Sequence, residues 1–205
     1  MRILAECKDA QKIGISGHIR PDGDCIGSCL ALYQYLKKCL SSDVEVTVYL
    51  EKPAPIFDKM AGFEYIVNDY PDVESMDVFF VLDCNLERLG DGAKYFDIAK
   101  KRINIDHHIS NTGCGNINYV IPTIGSTSEI IYDLIVAESG EEILDKDLAE
   151  AIYTGIIHDT GVFQYSNTTP KTMEIGAKLI NYGFDFPKLI EETFYQRTYK
   201  QTQIL

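Results

Sequence analysis

Short apolar runs alternate along the chain with segments in which apolar residues recur at helical spacing. The runs are rich in valine, isoleucine and phenylalanine and predict strands buried on both faces: residues 12–16, 44–50, 77–83 and 102–106. Helical spacing marks four further segments: 27–39, 126–138, 146–158 and 171–182. Because strands alternate with helices, we predict an α/β fold with a doubly wound, mainly parallel sheet of about five strands and helices on both faces.

Polar residues at the ends of these segments indicate where two of the helices begin or end. Ser126, followed by Glu129, has the signature of a capping box, so we interpret Ser126 as a helix cap rather than a nucleophile. The segment 171–182 ends before Gly183, a common helix stop. The residues after Pro187 predict one more amphipathic helix.

The composition is that of a globular protein of one domain. The 205 residues suffice for a real core, and 45% of them are hydrophobic. No apolar run approaches the ~20 residues that a membrane helix needs, and the N-terminus has no signal-peptide pattern. We therefore expect a cytoplasmic protein whose six cysteines are reduced thiols.

The net charge of −12 limits the partners that the surface can bind. Affinity for long nucleic acids comes mostly from lysine and arginine side chains that neutralise phosphates, so we expect no long nucleic acid as a partner. We expect no membrane partner either, while the sequence leaves the oligomeric state open. If the substrate carries phosphates, cations inside the site have to supply the positive charge.

Aspartate and histidine residues gather in four short clusters. The clusters contain five aspartates and all four histidines of the chain: His18, Asp22 and Asp24; Asp83; Asp106, His107 and His108; His158 and Asp159. Three clusters follow predicted strands and the fourth ends a predicted helix. Because ligands bind at the carboxyl ends of parallel strands, we expect the clusters to meet there. Pro21 and Gly23 predict a loop, not a helix, around the first cluster.

Each cluster taken alone also fits an ordinary structural role. The Asp-x-Asp pair beside a proline is commonly a solvated turn, and Asp83 could cap a following helix. His107 and His108 could be one core and one surface imidazole. His158 could be a favourable charge at a helix end, and Cys84 fits a small core residue. Their joint position at one edge of the sheet favours a shared function instead.

The combined side chains suit divalent metal ions. Nitrogen and oxygen ligands of this kind bind manganese, iron, cobalt or zinc. Six ligands exceed what one tetrahedral zinc ion requires, whereas two ions bridged by one carboxylate would use them all. Pairs of ions ~3.5–4 Å apart catalyse in-line displacement at phosphorus. Because no G-x4-G-K-[ST], G-x-S-x-G or H-E-x-x-H motif suggests other chemistry, the residues predict a dinuclear hydrolytic site.

The clusters also carry the four motifs of a known family. GHIRPDGDCIGS, the strand ending in VLD, NIDHH and GIIHDTGVF resemble, in order and spacing, the motifs of the DHH-family phosphoesterases. SNTTPKTMEIGAKLI resembles the branch of oligoribonucleases (nanoRNases) and pAp phosphatases, where pAp is 3′-phosphoadenosine 5′-phosphate. The resemblance covers roughly residues 10–200.

This resemblance implies a role for each matching residue. It implies two divalent metal ions, most suitably Mn²⁺, held by two sets that share Asp83: His18, Asp22 and Asp83; and Asp24, Asp83, His107 and Asp159. His108 would face the scissile phosphate and act as the catalytic acid. Asp106 would orient a neighbouring histidine, and Arg88 would bind near the phosphate. His158 matches no metal ligand of the family and is interpreted as a supporting residue.

The implied function is that of a hydrolase, a phosphoesterase that cleaves short RNA or pAp with water activated by two metal ions. Other DHH-type activities stay open, namely an inorganic pyrophosphatase or a cyclic-dinucleotide phosphodiesterase. So do a haloacid-dehalogenase-like phosphatase built on Asp-x-Asp and a non-catalytic sensor of nucleotides or metals. We expect residues 1–187 to form the metal-binding catalytic domain and 188–205 to begin a linker helix toward a glycine-rich substrate-clamp domain absent from this chain.

Overall fold

A six-stranded, wholly parallel sheet forms the centre of the structure, a computed structural model in which residues 1–195 are described. Its strands are β1 (Lys12–Ser16), β2 (Glu45–Tyr49), β3 (Ile66–Val67), β4 (Met76–Leu82), β5 (Ala99–Asp106) and β6 (Ile117–Val120). They lie in the order β3-β2-β1-β4-β5-β6, and every neighbouring pair is parallel. The predicted α/β fold is confirmed, with six strands where about five were expected.

Four of the strands lie where the apolar runs predict them. β1 coincides with its run, β2 and β4 differ from theirs by one residue at each end, and β5 starts three residues early. The sequence pattern did not indicate β3 or β6. With two and four residues, respectively, these strands are too short to show the periodicity that separates a strand from a loop.

Helices connect the strands and cover the sheet. They are α1 (Ile3–Glu6), α2 (Gly23–Cys39), α3 (Ala93–Ile98), α4 (Thr127–Ser139), α5 (Lys146–Asp159), α6 (Pro170–Leu179) and α7 (Phe186–Ile190). The helix expected after Pro187 is present as α7 and a π-helical turn (Glu191–Tyr195), and its predicted continuation over 196–205 lies outside the described residues. No helix within residues 1–195 has the length and apolar character needed to cross a membrane.

Both faces of the sheet are buried, as the apolar runs predict. Val78, Phe80 and Leu82 of β4 point to the face covered by α2, α4 and α5, where the larger part of the core lies. Phe79 and Val81 point to the opposite face and pack against α3. This two-sided burial explains why β4 is an almost unbroken apolar run rather than an alternating one.

The strand order reverses direction between β1 and β4, and this reversal positions the functional site. From β1 the chain continues outward to β2 and β3, whereas β4, β5 and β6 continue outward on the other side. Ser16 at the end of β1 lies opposite Val81 near the end of β4. The loops that follow these two strands therefore diverge around a crevice, which is where open α/β sheets bind ligands.

Helices α2 and α5 cross closely because a glycine lies in each at the contact. A Cβ atom on Gly27 would lie 2.5 Å from the carbonyl oxygen of Ala151 and 2.8 Å from the amide nitrogen of Gly155. Both are backbone atoms of α5, so no side-chain rotation could make room. Gly27 therefore lets α2 lie close to the backbone of α5, and Gly155 leaves room for the side chains of Ser128 and Asp24.

We expect Gly27→Ala to lower the free energy of unfolding by up to about 2 kcal/mol, measured by urea denaturation. Alanine gains ~1 kcal/mol of helix propensity, but the overpacking cost of ~1–3 kcal/mol should exceed it because two backbones must separate. Gly176→Ala in α6 is the control, since its Cβ would meet only the outer ring atoms of Phe163, the nearest at 2.8 Å. Unchanged or increased stability in Gly27→Ala would contradict the close crossing.

Candidate metal centre

The four clusters converge at the carboxyl edge of the sheet, as expected. Three overlapping groups each offer ligand atoms within 4.8 Å of one another: His18, Asp22 and Asp83; Asp24, His107 and Asp159; and Asp83, Asp106, His107 and His108. Each of the first two groups contains one imidazole and two carboxylates. The side chains proposed to hold the two metal ions are thus neighbours in the folded chain.

The first cluster joins β1 to α2, and its backbone differs from the expected loop. Helix α2 begins at Gly23, so Asp24 lies in its first turn. The Asp22 side chain caps this helix, because its Oδ1 accepts hydrogen bonds from the backbone N–H groups of Asp24 and Cys25, both at 3.1 Å. The loop prediction is therefore confirmed for residues 17–22 and wrong for Gly23 and Asp24. Asp22 and Gly23, which follow Pro21, are the N-cap and the first residue of α2.

Asp83 follows β4 in an unusual backbone conformation. Its φ angle is +59°, which costs a residue other than glycine of order 1–3 kcal/mol. The backbone N–H of Asp83 donates to the carbonyl of Ile105 at 3.0 Å, and the Thr127 hydroxyl donates to Asp83 Oδ1 at 2.9 Å. Asp83 is therefore not a helix cap, and strained positions of this kind concentrate at functional sites.

The two carboxylate oxygens of Asp83 face different imidazoles. Oδ2 lies 3.4 Å from His18 Nε2, and Oδ1 lies 3.6 Å from His107 Nε2. Atoms that each bind one ion at ~2.1 Å are roughly 3–3.5 Å apart. The spacing is therefore close to that of ligands sharing an ion, with one oxygen of Asp83 turned toward each group.

The orientation of the imidazoles leaves their Nε2 atoms facing the carboxylates. Nδ1 of His18 lies 2.8 Å from the carbonyl of Ile19, and Nδ1 of His107 lies 3.3 Å from the carbonyl of Ile124. A carbonyl only accepts, so each Nδ1 carries the hydrogen and Nε2 of the neutral ring carries a lone pair. His107 Nε2 is buried without an aligned hydrogen bond, although Asp159 Oδ2 lies 2.8 Å away. A proton or a cation is needed there, and the donor set fits a divalent metal ion.

The pKa values of His18, His107 and Asp24 also reflect an excess of negative charge in the cluster. Burial lowers the pKa of His18, but its contacts with Asp22 and Asp83 outweigh burial and raise that pKa to about 11. Burial also lowers the pKa of His107, but its contact with Asp159 outweighs burial and raises that pKa to about 10. Burial, reinforced by Asp83 and Asp159, raises the pKa of Asp24. Without a cation, the cluster holds protons in its place.

The N-terminus of α4 binds Asp24, a contact that sequence analysis missed. The backbone N–H groups of Thr127 and Ser128 donate to the two oxygens of Asp24 at 2.7 and 2.9 Å. Asp24 has no exposed surface, so these donors and the helix dipole partly offset the cost of burying its charge. The signal was available in the cap at Ser126, since the free amides of a helix start bind anions.

Ser126 is the predicted helix cap, but only half of the capping box forms. Its hydroxyl oxygen accepts the backbone N–H of Glu129 at 3.1 Å. The Glu129 carboxylate instead accepts a hydrogen bond from the hydroxyl of Thr172 in α6, at 2.9 Å. Glu129 therefore ties α4 to α6.

His108 and Asp106 form a hydrogen-bonded pair beside the metal cluster. His108 Nδ1 lies 2.7 Å from Asp106 Oδ1, and Asn111 Nδ2 donates to the other oxygen of Asp106 at 2.6 Å. Asp106 is fully buried, whereas the His108 side chain is 39% exposed. The hydrogen bond with Asp106 raises the pKa of His108. His108 therefore has Nδ1 engaged by Asp106, and Asp83 Oδ1 lies 3.7 Å from the same nitrogen, so Nε2 is the nitrogen left for a substrate.

The remaining sequence candidates lie around this cluster rather than in it. Arg88 is exposed, and its carbonyl accepts the N–H of Ile19 at 2.8 Å, which joins the loops after β4 and β1. Its guanidinium forms no ion pair within residues 1–195. Cys84 is buried, as expected of a core residue. Burial lowers the pKa of His158 to about 4, so its ring is neutral and is not a charge at the helix end.

Comparison with known proteins identifies the family to which the chain is similar. Residues 12–156 match the model of the DHH family, N-terminal domain. The bifunctional oligoribonuclease and PAP phosphatase NrnA of Thermus thermophilus is 32% identical over 93% of this chain and 57% of that protein, and NrnA of Bacillus subtilis is 31% identical over 86% of this chain and 55% of that protein. An exopolyphosphatase-related protein from Bacteroides fragilis superposes with a TM-score of 0.88 at 28% identity, over 98% of this chain and 62% of that one.

The chain thus spans somewhat more than half the length of these curated relatives. The family match extends from β1 through most of α5 and so covers the sheet and the first three motifs, and it ends just before His158 and Asp159 of the fourth. Together with the parallel sheet and the converging clusters, it shows that this chain belongs to the DHH family.

Proposed function

We propose that the chain carries the catalytic centre of a phosphoesterase that hydrolyses short oligoribonucleotides, pAp or both. The observation that carries this proposal is the position of Asp83, whose two oxygens face two separate groups of imidazole and carboxylate ligands. The names of the relatives from Thermus thermophilus and Bacillus subtilis support the substrate class.

Two divalent ions, most suitably Mn²⁺, are proposed to bind on either side of Asp83. His18 and Asp22 would hold one, and a second set would hold the other: Asp24, His107 and Asp159. When bound, such ions lower the pKa of a water molecule toward ~7 and neutralise charge on the phosphoryl oxygens. The chain contributes the fixed Nε2 orientations of His18 and His107, which remove the need for side-chain rearrangement.

His108 is proposed to protonate the leaving oxygen through Nε2. Asp106 accepts the Nδ1 hydrogen, so the proton available for transfer sits on the opposite side of the ring. The hydrogen bond with Asp106 raises the pKa of His108, which favours the protonated ring that a general acid needs. A positioned general acid typically contributes 10²–10⁴-fold to the rate.

The charge distribution favours a small substrate. A surface of net charge −12 repels a long polyanion, whereas a dinucleotide or pAp places few phosphates outside the cluster. Arg88 is proposed to bind a phosphate from the exposed turn Leu86–Arg88, which is joined to the loop of the first cluster.

The geometry counts against a haloacid-dehalogenase-like mechanism, which requires a nucleophilic aspartate. Asp24 has no exposed surface, and both of its oxygens accept backbone N–H bonds. Asp22 caps α2 with one oxygen and lies 3.5 Å from His18 Nε2 with the other. Asp24 is thus closed to in-line attack on a phosphate, and Asp22 serves as a helix cap beside His18.

We also propose the domain division that the sequence predicts. Every residue of the metal cluster lies between His18 and Asp159, within the proposed metal-binding domain of residues 1–187. The proposed linker, 188–205, begins inside α7.

Binding of Mn²⁺ at pH 7 is expected to release about two protons from the imidazoles of His18 and His107. Their raised pKa values, about 11 and about 10, mean that both rings are protonated below those values in the metal-free protein. A metal ligand must be deprotonated, so affinity should increase as the pH rises toward 10. Calorimetric titration in buffers of different ionisation enthalpy measures the release, and binding without proton release would contradict the assignment.

Asp83→Ala and His108→Ala should separate metal binding from turnover. Asp83→Ala removes the carboxylate that both groups share, so Mn²⁺ should no longer raise the melting temperature. His108→Ala should retain the full Mn²⁺-induced stabilisation, ~2.7 kcal/mol at 100 times the dissociation constant. Its kcat should fall about 10²–10⁴-fold. The reverse pattern would show that the two roles are misassigned.

A substrate panel tests the proposed activity directly. With Mn²⁺, the protein is expected to hydrolyse a diribonucleotide or pAp and to lose all activity in excess EDTA. Pyrophosphate and cyclic di-AMP serve as competing substrates for the two other DHH-type activities. Preferred cleavage of either of these, or full activity in EDTA, would overturn the proposal.

A further inference from the structure

The imidazole of His158 packs against the backbone between two of the proposed metal ligands. A Cβ atom on Gly23 would lie 2.1 Å from His158 Cγ, so the ring rests directly on the Cα of Gly23. Gly23 separates Asp22 from Asp24, which belong to different metal-ligand groups. His158 is also the residue before Asp159. One ring thus supports the chain at three ligand positions.

A hydrogen bond to Thr193 fixes the orientation of this ring. His158 Nε2 lies 3.1 Å from Thr193 Oγ1. The Thr193 hydroxyl donates its only hydrogen to the carbonyl of Leu189 at 2.8 Å. Thr193 must therefore accept from His158, so Nε2 carries the hydrogen and the ring cannot rotate without losing this bond.

The residues around Thr193 complete the support of the ring. Phe57 and Phe194 flank the imidazole, with ring centroids 5.2 and 5.5 Å from it. Lys59 and Glu192 form an ion pair at 2.8 Å, which joins the two segments that carry these aromatic rings. The turn Glu191–Tyr195, which follows α7, is thereby fixed to the back of the metal cluster.

We infer that His158 is a positioning residue for the metal centre and that Thr193 holds it in place. The inference rests on the proposed metal centre and adds a role for two residues that bind no ion. The His158 ring contacts both the turn after α7 and Gly23. The position of that turn therefore affects the positions of Asp22 and Asp24. Metal affinity therefore depends on a hydrogen bond at the opposite end of the chain from the first cluster.

The test measures Mn²⁺ affinity by calorimetry and by electron paramagnetic resonance of free Mn²⁺ in the 205-residue chain. Thr193→Val removes the accepting hydroxyl at nearly constant volume and should weaken Mn²⁺ binding about 10–100-fold. Thr193→Ser should restore wild-type affinity. His158→Phe should match Thr193→Val, and His158→Gln, which keeps a donor near the Nε2 position, should recover part of the loss. The double variant His158→Phe/Thr193→Val should bind no more weakly than either single variant.

Thr154→Val is the matched control for a general loss of stability. Thr154 is buried in α5, and its hydroxyl donates to the carbonyl of Glu150 at 2.8 Å, a hydrogen bond like that of Thr193. This variant should melt at a lower temperature yet bind Mn²⁺ as the wild type does.

Wild-type affinity in Thr193→Val and His158→Phe, or an equal loss in Thr154→Val, would overturn the inference. If one of the two test variants does not fold, the other decides; failure of both would assign the pair to general stability and count against a positioning role. Absence of Mn²⁺ binding to the wild type would refute the proposed metal centre itself, an outcome distinct from these.

Discussion

The negative charge of buried aspartates is the constraint on which the site depends. Asp24 and Asp83 have almost no exposed surface, and each lies near further carboxylates. An unpaired charge in such a position costs several kcal/mol, because the solvation that it loses has to be replaced. The surroundings replace part of it with the amides of α4, the hydroxyl of Thr127 and two imidazoles. Divalent cations would supply the remainder, held by the Nε2 atoms that His18 and His107 turn toward the carboxylates.

The parallel sheet makes this concentration of charge feasible. All six strands end at the same edge, and the reversal of strand order between β1 and β4 opens a crevice there. Loops from β1, β4 and β5 enter the crevice, while α5 delivers Asp159 from the other direction. The close crossing of α2 and α5 at Gly27 places their functional ends together. The helices thus supply both packing and polar donors to the same cluster.

Much of this arrangement could be predicted from the sequence, because it follows from local patterns. Apolar runs marked four strands, and the position of each cluster directly after a strand or a helix indicated the edge where they meet. The start of α2 was missed because Asp22 serves both as a helix cap and as a member of the cluster. The amides that bind Asp24, and the contact between His158 and Thr193, join residues 103 and 35 positions apart, respectively. No sequence periodicity encodes such contacts, which arise only from tertiary packing.

The proposed metal centre requires Asp83 to bridge two metal ions. Crystals grown with Mn²⁺, with data collected near the manganese absorption edge, would test it by anomalous scattering. We expect two peaks ~3.5–4 Å apart, one beside His18 and Asp22 and the other beside His107 and Asp159, each adjacent to one oxygen of Asp83. A single peak, or two peaks of which one makes no contact with Asp83, would contradict the account.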